Sequence, residues 1–309
     1  DSPEAPGLYI GLYESEARLG KTNEAVEHII TAVRKFGPNS QWAMAYPSEK
    51  KAELKATLET LESESLKAAF FHHHAAQKSA NKKHYEYAIK LYSALLQNFP
   101  DHPDRKKIAF YQGEAFFNQG QWLEAADAYM VAASSAPRDQ LSEEAAYDAL
   151  LAVDKLTARR EKLGKYGKQE QKAVDTTPRE IPIPEKKLIE VGEFYVREYP
   201  KGNHAVDVKF RIASIYYNYH HFDPALNIYK AIAVQHPAHR SATTAAYIAL
   251  DIYNIKKDYD GLTETASLFV SIRELGDGRF RAELNTMTNQ IDFKKIEPLE
   301  KQDKWVDAG

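Results

Sequence analysis

Three consecutive histidines, His72-His73-His74, are the most conspicuous candidates for chemistry in the chain. Successive residues of a helix point about 100° apart, so three in a row cannot converge on one ion. Ligation would need imidazoles at i and i+4, and His72 is matched there by Ala76. The expectation is surface or groove histidines and no metal site. His220-His221 falls between two helical stretches and reads as a turn pair with one ring packed. Glu143, Glu144, Asp148 and Asp154 have a spacing that can put carboxylates on one helix face. General acid–base work would further require an enclosed cleft that splits their pKa values. The helical repeat described below implies no such cleft, so a solvated face or a patch for a cationic partner is expected.

Lys155, Arg159, Arg160, Lys162, Lys165, Lys168 and Lys172 form a basic run opposed only by Glu161 and Glu170. It reads as a solubilising segment, with docking to an acidic protein or polyanion as the alternative; Arg159, Arg160, Lys162, Lys165 and Lys168 make up that secondary patch. The chain as a whole carries a net charge of −3, which gives no general pull toward nucleic acid or an anionic membrane, and no nucleic-acid module surrounds the basic run. With 0 cysteines there is no disulfide framework, thiol nucleophile or zinc knuckle. No HExxH, P-loop, dinucleotide fingerprint or nucleophile elbow is present. Neither enzymatic activity nor a cofactor is expected.

At 309 residues, 43% hydrophobic and 28% charged, the chain is long enough for two domains or one repeat array and apolar enough to bury a core. No run of 18 apolar residues offers a transmembrane span. The chain opens Asp1-Ser2-Pro3-Glu4 without a methionine, and the expectation is that a targeting segment has been removed upstream.

A repeat sets the architecture. His84-Tyr85-Glu86-Tyr87-Ala88 leads through Tyr92 and Leu95 to Phe99-Pro100, and Gln121-Trp122-Leu123-Glu124-Ala125 leads through Tyr129 and Ala132 to Ala136-Pro137, 37 positions on. His221-Phe222-Asp223-Pro224-Ala225 and Asp258-Tyr259-Asp260-Gly261-Leu262 repeat the step, and Lys21-Thr22-Asn23-Glu24-Ala25 starts an N-terminal copy. A further helical pattern precedes each of these, so each unit is a helical hairpin. Small residues such as Gly113 against Ala125, or Ala213 against Ala225, are expected to let the two axes approach. Pro100, Pro137, Pro200 and Pro237 end second helices, because proline lacks the N–H that helix continuation needs.

This pattern resembles the tetratricopeptide repeat (TPR), most strongly over 66–137 and 203–273 and weakly over 141–200, where Leu150 and Leu188 replace small residues. Leu250 and Leu262 raise the same expectation of looser packing in the last hairpin. The resemblance implies an all-α, right-handed superhelical solenoid of about six hairpins, since each repeat buries its apolar face only on its neighbours. Residues 1–163 form N-terminal hairpins, 164–184 an exposed insertion, 185–296 C-terminal hairpins with a capping helix, and 297–309 a tail. An extra helix over Leu54, Leu58 and Leu61 is expected to continue into the second repeat, and Phe280, Leu284, Met287 and Ile291 mark the capping helix.

Connections such as Glu198-Tyr199-Pro200-Lys201-Gly202-Asn203 followed by Ile215-Tyr216-Tyr217 are similar to those of bacterial envelope TPR proteins of the BamD and CpoB/YbgF type. That similarity implies a periplasmic, outer-membrane-associated scaffold with protein partners in an envelope complex; a cytoplasmic location is the alternative. No cysteine is present for lipidation, which favours a soluble scaffold.

An aromatic ladder is the candidate binding surface. His73, Phe110 and Tyr147 stand 37 apart, as do Phe210 and Tyr247; seven positions beyond Phe110 and Phe210 come Phe117 and Tyr217. In TPR proteins this stripe of the first helices lines the concave face, where aromatics can anchor a peptide or helix segment. Packing between hairpins is the competing role for Phe110 and Phe210. A co-chaperone clamp for acidic tails needs Lys and Asn in the groove, whereas Phe110 stands with Glu114, Tyr147 with Leu151 and Phe210 with Ser214. The accessory region of a larger envelope enzyme is a third possibility.

Overall fold

The structure, a computed structural model, describes the backbone of residues 2–79, 81–163 and 176–300, and the side chains of 2–79, 81–157 and 176–289. Among these residues the chain is all-α. It divides into two compact units, 1–163 and 164–309.

In the first unit α1 (Ala5–Arg18) pairs with α2 (Thr22–Phe36), α4 (Lys51–Ser79) with α5 (Lys82–Asn98), and α6 (Arg105–Gln119) with α7 (Trp122–Ser134). The short α3 (Gln41–Met44) and a 3-10 turn, Ser48–Lys50, link the first two hairpins, and α8 (Gln140–Leu163) packs on α7 and α6. The leucines at 54, 58 and 61 do continue into the second repeat: α4 is one helix, whose N-terminal half lies on α2 and α1 with Leu61 fully buried. In the second unit α9 (Ile183–Glu198), α10 (Ala205–Asn218), α11 (Phe222–Gln235), α12 (Ala242–Lys256), α13 (Tyr259–Ser271) and α14 (Gly278–Glu300) pack each on the next. The C-terminal helix covers the core with Phe280 and Leu284, and Met287 lies against it; the side chain of Ile291 lies outside the described residues.

Prolines act as the sequence implies. α5, α9 and α11 stop at 98, 198 and 235, two residues before Pro100, Pro200 and Pro237, and α7 stops at 134 before Pro137. The turns inside four hairpins are built alike. A left-handed residue follows the first helix: Gly20 (φ 74°), Gly120 (φ 78°), His220 (φ 61°) and Lys257 (φ 58°). The next N–H then reaches back five residues: Lys21 to the Glu16 carbonyl at 2.9 Å, Gln121 to Phe116 at 3.0 Å, His221 to Tyr216 at 2.8 Å and Asp258 to Tyr253 at 2.9 Å. This satisfies carbonyls that the helix end would otherwise leave unpaired.

The group nearest Gly113 is the Tyr129 ring: a Cβ added at Gly113 would come within 2.6 Å of it. The last hairpin is the more loosely packed one, as expected: α12 and α13 approach each other less closely than the helices of the other hairpins, although Leu250, Leu262 and Ala266 are all buried in one core. Ala213 and Tyr229 set the usual arrangement, small on the first helix and large on the second; Leu250 and Ala266 hold the equivalent places with the sizes exchanged.

The expected insertion, 164–184, is only partly described. Residues 164–175, including Lys165, Lys168 and Lys172, lie outside the described residues, as do the side chains of Arg159, Arg160 and Lys162. Residues 176–180 are exposed, but Ile181 is buried and α9 begins at Ile183, where proline at the start of a helix loses no hydrogen bond. The described stretch clasps the α10–α11 turn. Arg179 N–H donates to the Tyr219 carbonyl at 2.9 Å and its guanidinium to the Asn218 carbonyl at 2.6 Å. His220 and His221 bond to the carbonyls of Thr177 and Arg179 at 3.1 and 2.9 Å.

Candidate functional site

The aromatic stripe runs along α4, α6 and α8 in the first unit and along α10 and α12 in the second, each unit forming its own surface. Its rings are treated unequally. His73 (3% exposed) and Phe110 (8% exposed) are core residues and do not stand open on the stripe, while Phe117, Tyr147, Phe210, Tyr217 and Tyr247 are half-buried.

Beneath three of the ladder residues lies a tyrosine of the second helix, 19 positions on. His73 Nδ1 bonds to Tyr92 Oη at 3.1 Å, the Phe110 and Tyr129 rings meet at 5.5 Å, and Phe210 and Tyr229 meet edge to face at 5.2 Å. These tyrosines are buried because the first helix offers Ala76, Gly113 or Ala213 sixteen positions earlier. The repeat pattern contained Tyr92, Tyr129 and Tyr229, but as markers of the second helix; their role beneath the stripe depends on helix crossing.

The outer tyrosines tie successive first helices together. Tyr217 Oη donates to Asp251 Oδ2 at 2.6 Å, from α10 to α12, and Tyr247 Oη to Glu283 of α14, which also holds Arg279 at 2.8 Å. Desolvation and the Glu283 bond push the Tyr247 hydroxyl up to about 12. Both hydroxyls are donors at neutral pH.

The histidine trio diverges. His72 Nδ1 meets His84 Nδ1 at 2.9 Å, His73 turns to Tyr92, and the exposed His74 turns to Gln77 at 3.2 Å. Burial lowers His72 and His73 to about 4, so both are neutral. No group of His, Asp and Glu among the described residues is placed to hold a metal ion.

The acidic run rearranges on folding. Glu144 and Asp148, one turn apart on α8, lie near enough to Glu114 of α6 and to Tyr129 for their charges to act on both. Burial, then Glu144, raises Asp148 to about 6; burial, then Asp148 and Glu144, raises Glu114. Sequence reasoning grouped Glu143 and Asp154 with this set and missed Glu114. Glu114 stands four positions after Phe110, a spacing that placed it on the stripe.

These features define an all-α protein of stacked, TPR-like helical hairpins with an aromatic stripe on its first helices. No protein-family model matches the chain, and no curated protein matches it. Among solved structures it is similar to the TPR domain of P58(IPK), at 14% identity, with 94% of this chain and 80% of that one covered and a TM-score of 0.26. Among the described residues no helix is long and apolar enough to cross a membrane.

Proposed function

We propose that the protein is a non-enzymatic scaffold or adaptor of a bacterial envelope complex, periplasmic and associated with the outer membrane, that binds segments of partner proteins along the aromatic stripe of its first helices. The observation that carries this reading is the recurrence of half-buried aromatics, Phe117, Tyr147, Phe210, Tyr217 and Tyr247, at matching positions of successive first helices. Each offers part of a ring to a partner at little cost in side-chain entropy. The envelope assignment rests on the connection style around Tyr199-Pro200-Lys201-Gly202.

Phe117→Ala or Tyr217→Ala should weaken capture of the native partner from a periplasmic extract by roughly 1–3 kcal/mol, with helicity preserved. Tyr217→Phe separates the ring from the hydroxyl that holds Asp251. Neutralising Lys165 and Lys168 should change affinity little. Folded alanine variants that capture the partner at full strength would overturn the reading.

A further inference from the structure

In the repeat register Leu8 and Leu12 of α1 correspond to Ile108 and Gln112 of α6 and to Val208 and Ile212 of α10, 100 and 200 positions on. All four later side chains are buried, because the preceding hairpin lies on them. Gln112 donates to Ser93 of α5 at 2.7 Å, and Val208 and Ile212 lie against Gly192 of α9. On α1 the same face is open: Leu8 is 66% exposed, Leu12 44%, and Leu19 71%. Positions 8, 12 and 19 fall within about 40° of one another around a helix. Of the 14 residues of α1 only Pro6 is buried. Terminal repeats ordinarily turn a polar face outward, whereas this one presents a leucine row. The aromatic stripe is elsewhere, since its register on α1 falls at Ile10, which packs on the core.

We infer that the leucine face of α1 pairs with the same face of a second copy of this chain, the two helices antiparallel about a two-fold axis level with Gly11. The charges beside the face are self-complementary in that arrangement. Glu4 and Arg18, both exposed, stand seven residues before and seven after Gly11, so each Glu4 meets Arg18 of the second copy. A parallel pair would set like against like. Within its own helix Arg18 reaches Glu14 at 3.5 Å, with both side chains open to solvent. Leu8 and Leu12 lie on either side of the axis and interleave with their counterparts. A Cβ added at Gly7 or Gly11 would meet nothing within 4 Å, so no contact inside the chain offsets the helix propensity these glycines forgo. Close approach of a second helix gives them a use. The association closes at two, because α14 already covers the core of the last hairpin with Phe280 and Leu284. One helix pair is a small interface, so dissociation at micromolar concentration is expected.

Sedimentation velocity of the full chain between about 5 and 500 μM tests the pairing and should show monomer passing into dimer. Leu8→Glu/Leu12→Glu should weaken the association about tenfold or more. Both leucines are exposed, so this variant should keep the helicity and melting temperature of wild type. If its melting temperature falls, Gly11→Leu decides: the new side chain meets nothing in the monomer, so it should leave melting at low concentration unchanged or raised while weakening the dimer about fivefold or more. The direction of the helices is read from the charges. Glu4→Arg and Arg18→Glu should each weaken the dimer about threefold, and the two together should return it to within about twofold of wild type. Losses that simply add would overturn the antiparallel arrangement. A chain monomeric at every concentration, a dimer undiminished by the leucine substitutions, or assembly beyond two copies would overturn the pairing itself.

Discussion

Tyr129 rests on the bare backbone of Gly113: a Cβ built there would lie 2.6 Å from Cδ1 and 2.7 Å from Cε1 of the ring. The two helices of this hairpin can approach so closely only because one contributes no side chain at the crossing. Gly113→Leu must therefore displace a ring that is itself enclosed, and should destabilise by about 2–4 kcal/mol. Gly113→Ala gains helix propensity of about 1 kcal/mol but meets the same ring, and should still lose stability. Urea denaturation checks both, and an alanine variant more stable than wild type would mean that Tyr129 can move aside.

Asp148 makes folding stability depend on pH. Its carboxyl is raised from 3.8 to about 6, first by burial and then by Glu144. The folded state therefore holds this proton more tightly than the unfolded chain does, and folding takes up protons between those values. The corresponding stabilisation is present below about pH 4 and is lost as pH rises through about 6; Glu114, also raised, acts in the same direction. Asp148→Asn should flatten this fall, measured as the urea midpoint between pH 4.5 and 7. An unchanged pH profile would place the carboxylate in water, away from Glu144.

His220 and Lys257 hold the same left-handed turn position in successive hairpins with φ 61° and 58°, where Gly120 does so without cost. Lys257→Gly should therefore stabilise the protein by about 0.5–1 kcal/mol. His220→Gly relieves the same backbone but gives up the bond to Thr177 and the 3.0 Å contact with Arg179. Its gain should be smaller or reversed, and cleavage near residues 176–182 in limited proteolysis should quicken. Equal gains from the two substitutions would mean that the clasp contributes nothing.

The hairpins could be traced from the sequence because their markers act locally. A proline ends a helix wherever it falls, and apolar residues at helical spacing need no knowledge of their partners. The surface was harder to read. Phe110 and Phe210 look alike in register, yet the first is buried and the second half-buried. Exposure there is decided by what each neighbouring hairpin lays over the ring. Glu114 illustrates the same limit: its distance from Asp148 is set by the packing of α6, α7 and α8, to which no spacing within one helix gives access.

The exchange of sizes at the last hairpin provides the sharpest test of the register. If Leu250 and Ala266 do the work of Ala213 and Tyr229 with the volumes swapped, each position should be intolerant only while its partner is unchanged. Leu250→Ala should open a cavity and cost about 2–4 kcal/mol, and Ala266→Tyr should overpack and cost about 1–3 kcal/mol. Together they recreate the arrangement of the preceding hairpin, with the new ring entering the space left by the leucine. The double variant should then be more stable than the sum of the single losses predicts, by about 1–3 kcal/mol in a double-mutant cycle. Strict additivity would mean that the two side chains do not meet, and that α12 and α13 cross at a different level from α10 and α11.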